Sequence, residues 1–160
     1  MSNLEECIIK AHEDGLADHI AVRVGKGEQI LNDCFYSADY AIDSKTLFDM
    51  ASVTKIMVTT MLTLIAADRK LLKFEDKVSR FFPCPNDKSE LTIKHLLTHT
   101  MGYGHRSLCE KGNTYDNIQN YILSLPCDFP VGTKVDYSCP GFILLGKILE
   151  KVFGDRLDRL

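Results

Sequence analysis

Phe48-Asp49-Met50-Ala51-Ser52-Val53-Thr54-Lys55 decides how the rest of this 160-residue chain reads. It places a serine and a lysine three residues apart, at the head of the most apolar helix-like run in the sequence. On a helix, positions i and i+3 share a face, so the Ser52 hydroxyl and the Lys55 ammonium can meet. A serine hydroxyl needs a base within hydrogen-bond reach to become a nucleophile. Lysine serves as that base when its pKa falls, and burial lowers it by up to roughly 3–5 units when complete. The positive end of a helix opposes a cation there as well, and its free N–H groups suit a developing oxyanion. The run Ile56-Met57-Val58-Thr59-Thr60-Met61-Leu62-Thr63-Leu64-Ile65-Ala66-Ala67 carries no charge on any face. That pattern predicts a helix buried on all sides. A lysine at the head of such a helix marks a functional position.

Around this stretch the composition is that of an ordinary globular chain, 45% hydrophobic and 26% charged. A net charge of −3 and the lack of a basic stripe argue against a nucleic-acid surface. The twelve-residue apolar run is too short to cross a membrane. Met1 to Glu6 is acidic and shows no signal-peptide pattern. Six cysteines (7, 34, 84, 109, 127, 139) stand without a CxxC pair, which suits reduced thiols and a cytoplasmic location.

Upstream, Asn3 caps an expected helix from Leu4 to about Glu13, with Leu4, Cys7, Ile8 and Ala11 on one face and Gly15 as its stop. His19 to Val24 and Gln29 to Tyr36 read as strands of a β-hairpin around Gly25-Lys26-Gly27-Glu28. Downstream, Thr92 caps a helix over Ile93 to His99 that stops at Gly102. Thr114 or Asp116 starts another, with Ile118, Tyr121, Ile122 and Leu125 on one face. A last helix carries Phe142, Leu145, Ile148, Leu149 and Val152 and ends at Gly154. His95 and His99 have the i, i+4 spacing of a zinc pair, without the glutamate of an H-E-x-x-H motif. A histidine metal site is therefore one alternative reading, although no metal or other cofactor is expected.

Three stretches together resemble the serine β-lactamase and penicillin-binding protein family, in its class C-like branch with the related D-amino-acid peptidases and esterases. They are Phe48 to Lys55 with the following helix as far as Val78, Leu91 to Tyr103, and Phe129 to Cys139 with its following helix. The order and spacing match across roughly residues 15 to 160. The resemblance implies an α+β fold: the N-terminal hairpin of an antiparallel sheet, the nucleophile helix and part of a helical domain. Residues 1–47 form the helix and hairpin, and 48–160 the nucleophile helix and helical region, of one serine hydrolase domain read from its N-terminal part.

By the same resemblance Ser52 is acylated by an amide or ester, and Lys55 and Tyr137 handle its protons. An ammonium beside a phenol favours the phenolate, which makes chemical sense of such a pair. Cys139 stands where the family usually has an asparagine that binds the substrate's amide, so Cys139 is the expected substrate-binding departure. Met101 replaces a common serine. His99 is implied to be structural. The K-T-G or H-x-G strand that completes such a site is expected beyond residue 160, as are the C-terminal strands of the sheet. The partner is then a small-molecule or peptide-like acyl substrate, with self-association of the isolated stretch as a further expectation. The alternative from another class is a non-catalytic or truncated binding scaffold of the same fold.

Overall fold

The computed structural model describes residues 3–106, 108, 114 and 116–160. Cys109, Glu110 and the first two residues, all used in the sequence reading, lie outside them. The chain divides into two compact units, Met1–Asp49 and Met50–Leu160.

In the first unit, helix α1 (Asn3–Glu13) packs on a hairpin of β1 (His19–Lys26) and β2 (Gln29–Ser37). Gly15, at φ +73°, ends the helix as expected. Of the anticipated apolar face, Ile8 is buried while Cys7 is exposed. The strands pair antiparallel from His19 opposite Ser37 to Lys26 opposite Gln29. The loop between them is Gly27-Glu28, with Gly27 at φ +58° in the position that a type II′ turn reserves for glycine. A register shift between Val24 and Gly25 leaves Leu31 bulged out of the ladder.

In the second unit, the chain winds into a π-helical segment (Lys55–Thr60) that runs directly into α2 (Met61–Asp68). There follow a short α3 (Ile93–Leu97), α4 (Ile118–Ser124) and the long α5 (Cys139–Phe153). Three single 3₁₀ turns, Val78–Arg80, Asn86–Lys88 and Leu157–Arg159, punctuate the connections. Helix α5 is the hub: it packs against α2, α3, α4 and the π-helical segment. Its apolar stripe is buried at Phe142, Leu145, Ile148 and Leu149 as the periodicity predicts, and at Leu144 besides. Gly154 closes it in the left-handed conformation, φ +75°. Leu72, Val78, Leu91, Ile93, Leu96 and Ile122 complete the core around it. Each such side chain contributes roughly 1.5–3 kcal/mol by leaving water.

The helix expected to be buried on all sides is not. Thr59, Thr63 and Ala66 are buried against α5 and the core, whereas Ile56 is 66% exposed and Met57 62% exposed. Met61, Leu64 and Ile65 are exposed on the same outward side. Among the described residues, α5 covers one side of this helix, and an all-round apolar helix needs a layer on each side to bury it completely. Across the second unit and the first, Cys7, Cys34, Cys84, Cys127 and Cys139 are free thiols. No helix among the described residues is long and apolar enough to cross a membrane.

Candidate active site

Ser52 follows a strained corner. Ala51 has φ +41°, a left-handed conformation that a residue with a Cβ rarely adopts. Tight i to i+3 closures follow at once: Val53 N–H to Met50 O at 2.8 Å, and Lys55 N–H to Ser52 O at 3.1 Å. The corner leaves Ser52 exposed at the mouth of the helix, and the single turn brings Lys55 Nζ back to donate to Ser52 Oγ at 3.1 Å. The wide π-helical turn begins at Lys55 itself, a distortion that recurs beside functional residues.

Tyr137 reaches the same oxygen from 85 residues away, its OH donating to Ser52 Oγ at 2.8 Å. Two loops bonded side by side deliver it. Asp128 and Phe129 donate their N–H groups to Gly102 O, and Gly132 N–H donates to Thr100 O at 2.8 Å. Gly132 has φ +84°, and a Cβ there would approach His95 Nε2 to 3.1 Å, so this turn requires glycine. A Cβ on Gly104 would lie 2.2 Å from the Asp136 carboxylate, so the second approach is equally tight. Ser138, fully buried, then caps α5: its Oγ accepts Gly141 N–H at 3.2 Å and donates to Met101 Sδ at 3.0 Å. The methionine that replaces a common serine of the family thus lies against the cap. Cys139, the first residue of α5, turns its thiol to Lys55.

The structure therefore brings Ser52, Lys55, Tyr137 and Cys139 into one cluster. Beside it lies an open groove of about 830 Å³, whose walls include Ala51, Thr54, Lys55, Cys139, Phe142 and Ile143. The electrostatics differ from the sequence expectation. Burial does pull the Lys55 ammonium down, but it is incomplete, and the hydrogen bonds and charges of Tyr137 and Cys139 outweigh it. The net direction is upward, toward the protonated form. Its Nζ also lies 5.2 Å from the centroid of the Tyr137 ring.

The zinc spacing of His95 and His99 does not survive folding. Helix α3 ends at Leu97, and His99 lies beyond it at φ +55°, so the two imidazoles are not on one helical face. His95 is instead half of a capping box: Thr92 Oγ1 accepts His95 N–H, and Thr92 N–H donates to His95 Nδ1 at 3.2 Å. His99 Nδ1 accepts Ser138 N–H at 3.0 Å. Among the described residues no group of three or more His, Cys, Asp or Glu is placed to hold a metal ion. Two partners escaped the sequence reading, the Ser138 cap and the bond from Ser138 to His99. A serine followed by Cys-Pro-Gly is a legible cap signal through the proline in the first turn. No periodicity links His99 to Ser138, which lie 39 residues apart.

Comparison with known proteins agrees with this geometry. The chain is 31% identical over 131 residues to an N-acetylmuramyl-L-alanine amidase of Bacillus subtilis, a match covering 72% of this chain and 30% of that protein. It is 35% identical over 135 residues to the esterase EstB of Burkholderia gladioli, covering 70% of this chain and 34% of the esterase. The solved structure of a class C β-lactamase from Rhodobacter sphaeroides superposes on 98% of this chain and 46% of that one, with TM-score 0.82 and 22% identity, and so shares its fold. The chain thus spans about a third of the length of those curated relatives. The family profile named Beta-lactamase matches residues 8–160, nearly the whole chain. By that match, and by an α+β fold shared with class C enzymes, the chain belongs to the Beta-lactamase family.

Proposed function

We propose that these residues carry the nucleophile and proton-handling groups of a serine hydrolase that cleaves an amide or ester through an acyl-enzyme. The observation that carries this reading is the convergence of Lys55 Nζ at 3.1 Å and the Tyr137 oxygen at 2.8 Å on Ser52 Oγ. The polarity of Lys55 supports a division of labour. With Lys55 biased toward its ammonium, the Tyr137 oxygen is the proton acceptor within reach of Ser52 Oγ, and it takes the Ser52 proton once it has given up its own. Ser52 Oγ then attacks the substrate carbonyl, and the phenol returns the proton to the leaving nitrogen or oxygen. Water reverses the sequence: it gives a proton to the phenolate as it attacks the acyl carbonyl, and Ser52 recovers its own on release. The Lys55 ammonium balances charge on whichever oxygen bears it. None of these steps draws on a metal or organic cofactor.

The substrate in this proposal is a small-molecule or peptide-like acyl compound, as the amidase and esterase relatives suggest. The test is to incubate the protein with a fluorophosphonate and map the adduct by mass spectrometry. Labelling of Ser52, abolished by Ser52→Ala, is expected. An adduct elsewhere, or no adduct under conditions where the protein is folded, refutes the reading in favour of a binding scaffold.

A further inference from the structure

The half-buried His99 packs against Tyr137 and holds the chain on both flanks of that tyrosine. Its carbonyl oxygen accepts Asp136 N–H at 2.8 Å, and its ring Nδ1 accepts Ser138 N–H at 3.0 Å. Between these two anchors the tyrosine ring packs on the imidazole, centroids 4.7 Å apart and planes at 38°. Phe142, one turn into α5, supports the imidazole from another side at 5.0 Å. Tyr137 itself is 48% exposed, and His99 is one of the groups packed against its covered part, with Lys55 Nζ 5.2 Å from the ring centroid. The left-handed backbone at His99, φ +55°, is what lets one residue present both its carbonyl and its ring to the same loop.

We propose that His99 is a positioning residue for Tyr137: the neutral imidazole, accepting from Ser138, holds the phenol on Ser52, and protonation of the ring releases it. This rests on the reading of Ser52 and Tyr137 given above. The chemistry follows from the donor and acceptor inventory. Nδ1 can accept the Ser138 N–H only while it is unprotonated, which requires the Nε2–H tautomer. An imidazolium would point an N–H at an N–H, lose the bond, and place a second cation near Lys55. Among the described residues, the charged and titratable groups facing the ring are Lys55 from the nucleophile helix and Tyr137 from the loop. Asp136 turns its carboxylate to Lys134, 3.6 Å away. Burial first, and the Lys55 charge second, hold the imidazole below the ordinary histidine range. At neutral pH the clamp is closed, and it opens on acidification.

Two variants separate the parts of the clamp. His99→Asn keeps an acceptor near the Nδ1 position and a residue type that tolerates the left-handed backbone, but cannot titrate. His99→Phe keeps a ring and loses the acceptor. The rate of Ser52 labelling by a fluorophosphonate is measured from pH 5 to pH 9. The unmodified protein should show an acid limb with its midpoint below about pH 6.5, falling about tenfold per pH unit. His99→Asn should lose that limb. His99→Phe should label roughly 10–100-fold more slowly at pH 8, the scale of a sub-ångström to ångström misplacement, with His99→Asn recovering part of the loss. A nitrogen-15 NMR spectrum of the unmodified protein gives a readout independent of labelling, with neutral His99 as the Nε2–H tautomer. An unchanged acid limb in His99→Asn, full-rate labelling of His99→Phe, or an Nδ1–H tautomer would each overturn the proposal. These outcomes differ from failure of the hydrolase reading, in which Ser52→Ala is labelled as readily as the unmodified protein.

Discussion

Replacing Tyr137 by phenylalanine removes one oxygen and little else. The ring that packs on His99 and lies beside Lys55 remains, so the loop keeps its apolar contacts. The lost group is a hydrogen bond of 2.8 Å to an exposed serine, at a residue that is 48% exposed itself. Water can replace it, and no buried polar atom is orphaned, so the fold should lose no more than about 0.5–1.5 kcal/mol. The rate should respond on a different scale. Deleting a positioned proton acceptor costs roughly 10²–10⁴-fold, or about 3–5 kcal/mol of barrier at 1.36 kcal/mol per decade. The assay pairs a urea melt with the second-order rate of Ser52 acylation, each for Tyr137→Phe against the unmodified protein. A rate loss under tenfold would show that Tyr137 does not move the proton. A large loss of stability in parallel would show that the rate effect is structural, and the division of labour between Lys55 and Tyr137 would fall with it.

Cys139 turns a weak hydrogen-bonding thiol toward Lys55 where the family usually places an amide. Cys139→Asn should raise kcat/KM on a chromogenic cephalosporin relative to a p-nitrophenyl ester by about three- to tenfold, the worth of one hydrogen bond; an unchanged ratio would remove Cys139 from substrate choice. Lys88 is 1% exposed and donates to Leu125 O at 2.5 Å and to Asp87 Oδ2 at 3.1 Å. Lys88→Met should leave that carbonyl unpaired and destabilise the protein by roughly 1–3 kcal/mol in urea unfolding, and an unchanged midpoint would contradict this. Burial holds both His95 and His99 below the usual histidine range, helped by the Lys94 and Lys55 charges respectively. Between those depressed values and about pH 6.5 the unfolded chain binds more protons than the folded one, so stability is full above that pH and declines as pH falls. Thermal melts at pH 7.5, 6.5 and 5.5 should show a falling midpoint, and a rising one would reverse the assignment.

Short-range features were readable in the sequence because they are settled within a turn or two of chain. The Ser52–Lys55 contact follows from i, i+3 geometry, and Gly27 places the hairpin turn because φ is positive there. Thr92, Gly15 and Gly154 mark helix ends for equally local reasons, since each completes or relieves backbone groups at its own terminus. The stripe of α5 was likewise legible, because its side chains repeat with the helix. What the sequence alone misjudged depends on what lies across space. An uncharged helix was expected to be buried, yet Ile56 and Met57 stand exposed, because burial is decided by the neighbouring layer and not by the helix itself. Lys55 was expected to lose its proton at the head of an apolar run. It is held protonated instead, because Tyr137 and Cys139 arrive from more than 80 residues away and outweigh partial desolvation. His99 passed for a helix-ending residue until the loop closed on it, since hydrogen bonds from Asp136 and Ser138 exist only once the two loops are bonded side by side. Helical and turn geometry act through the covalent chain, whereas proton affinity and side-chain position respond to every charge and dipole nearby, and tertiary structure alone brings those together.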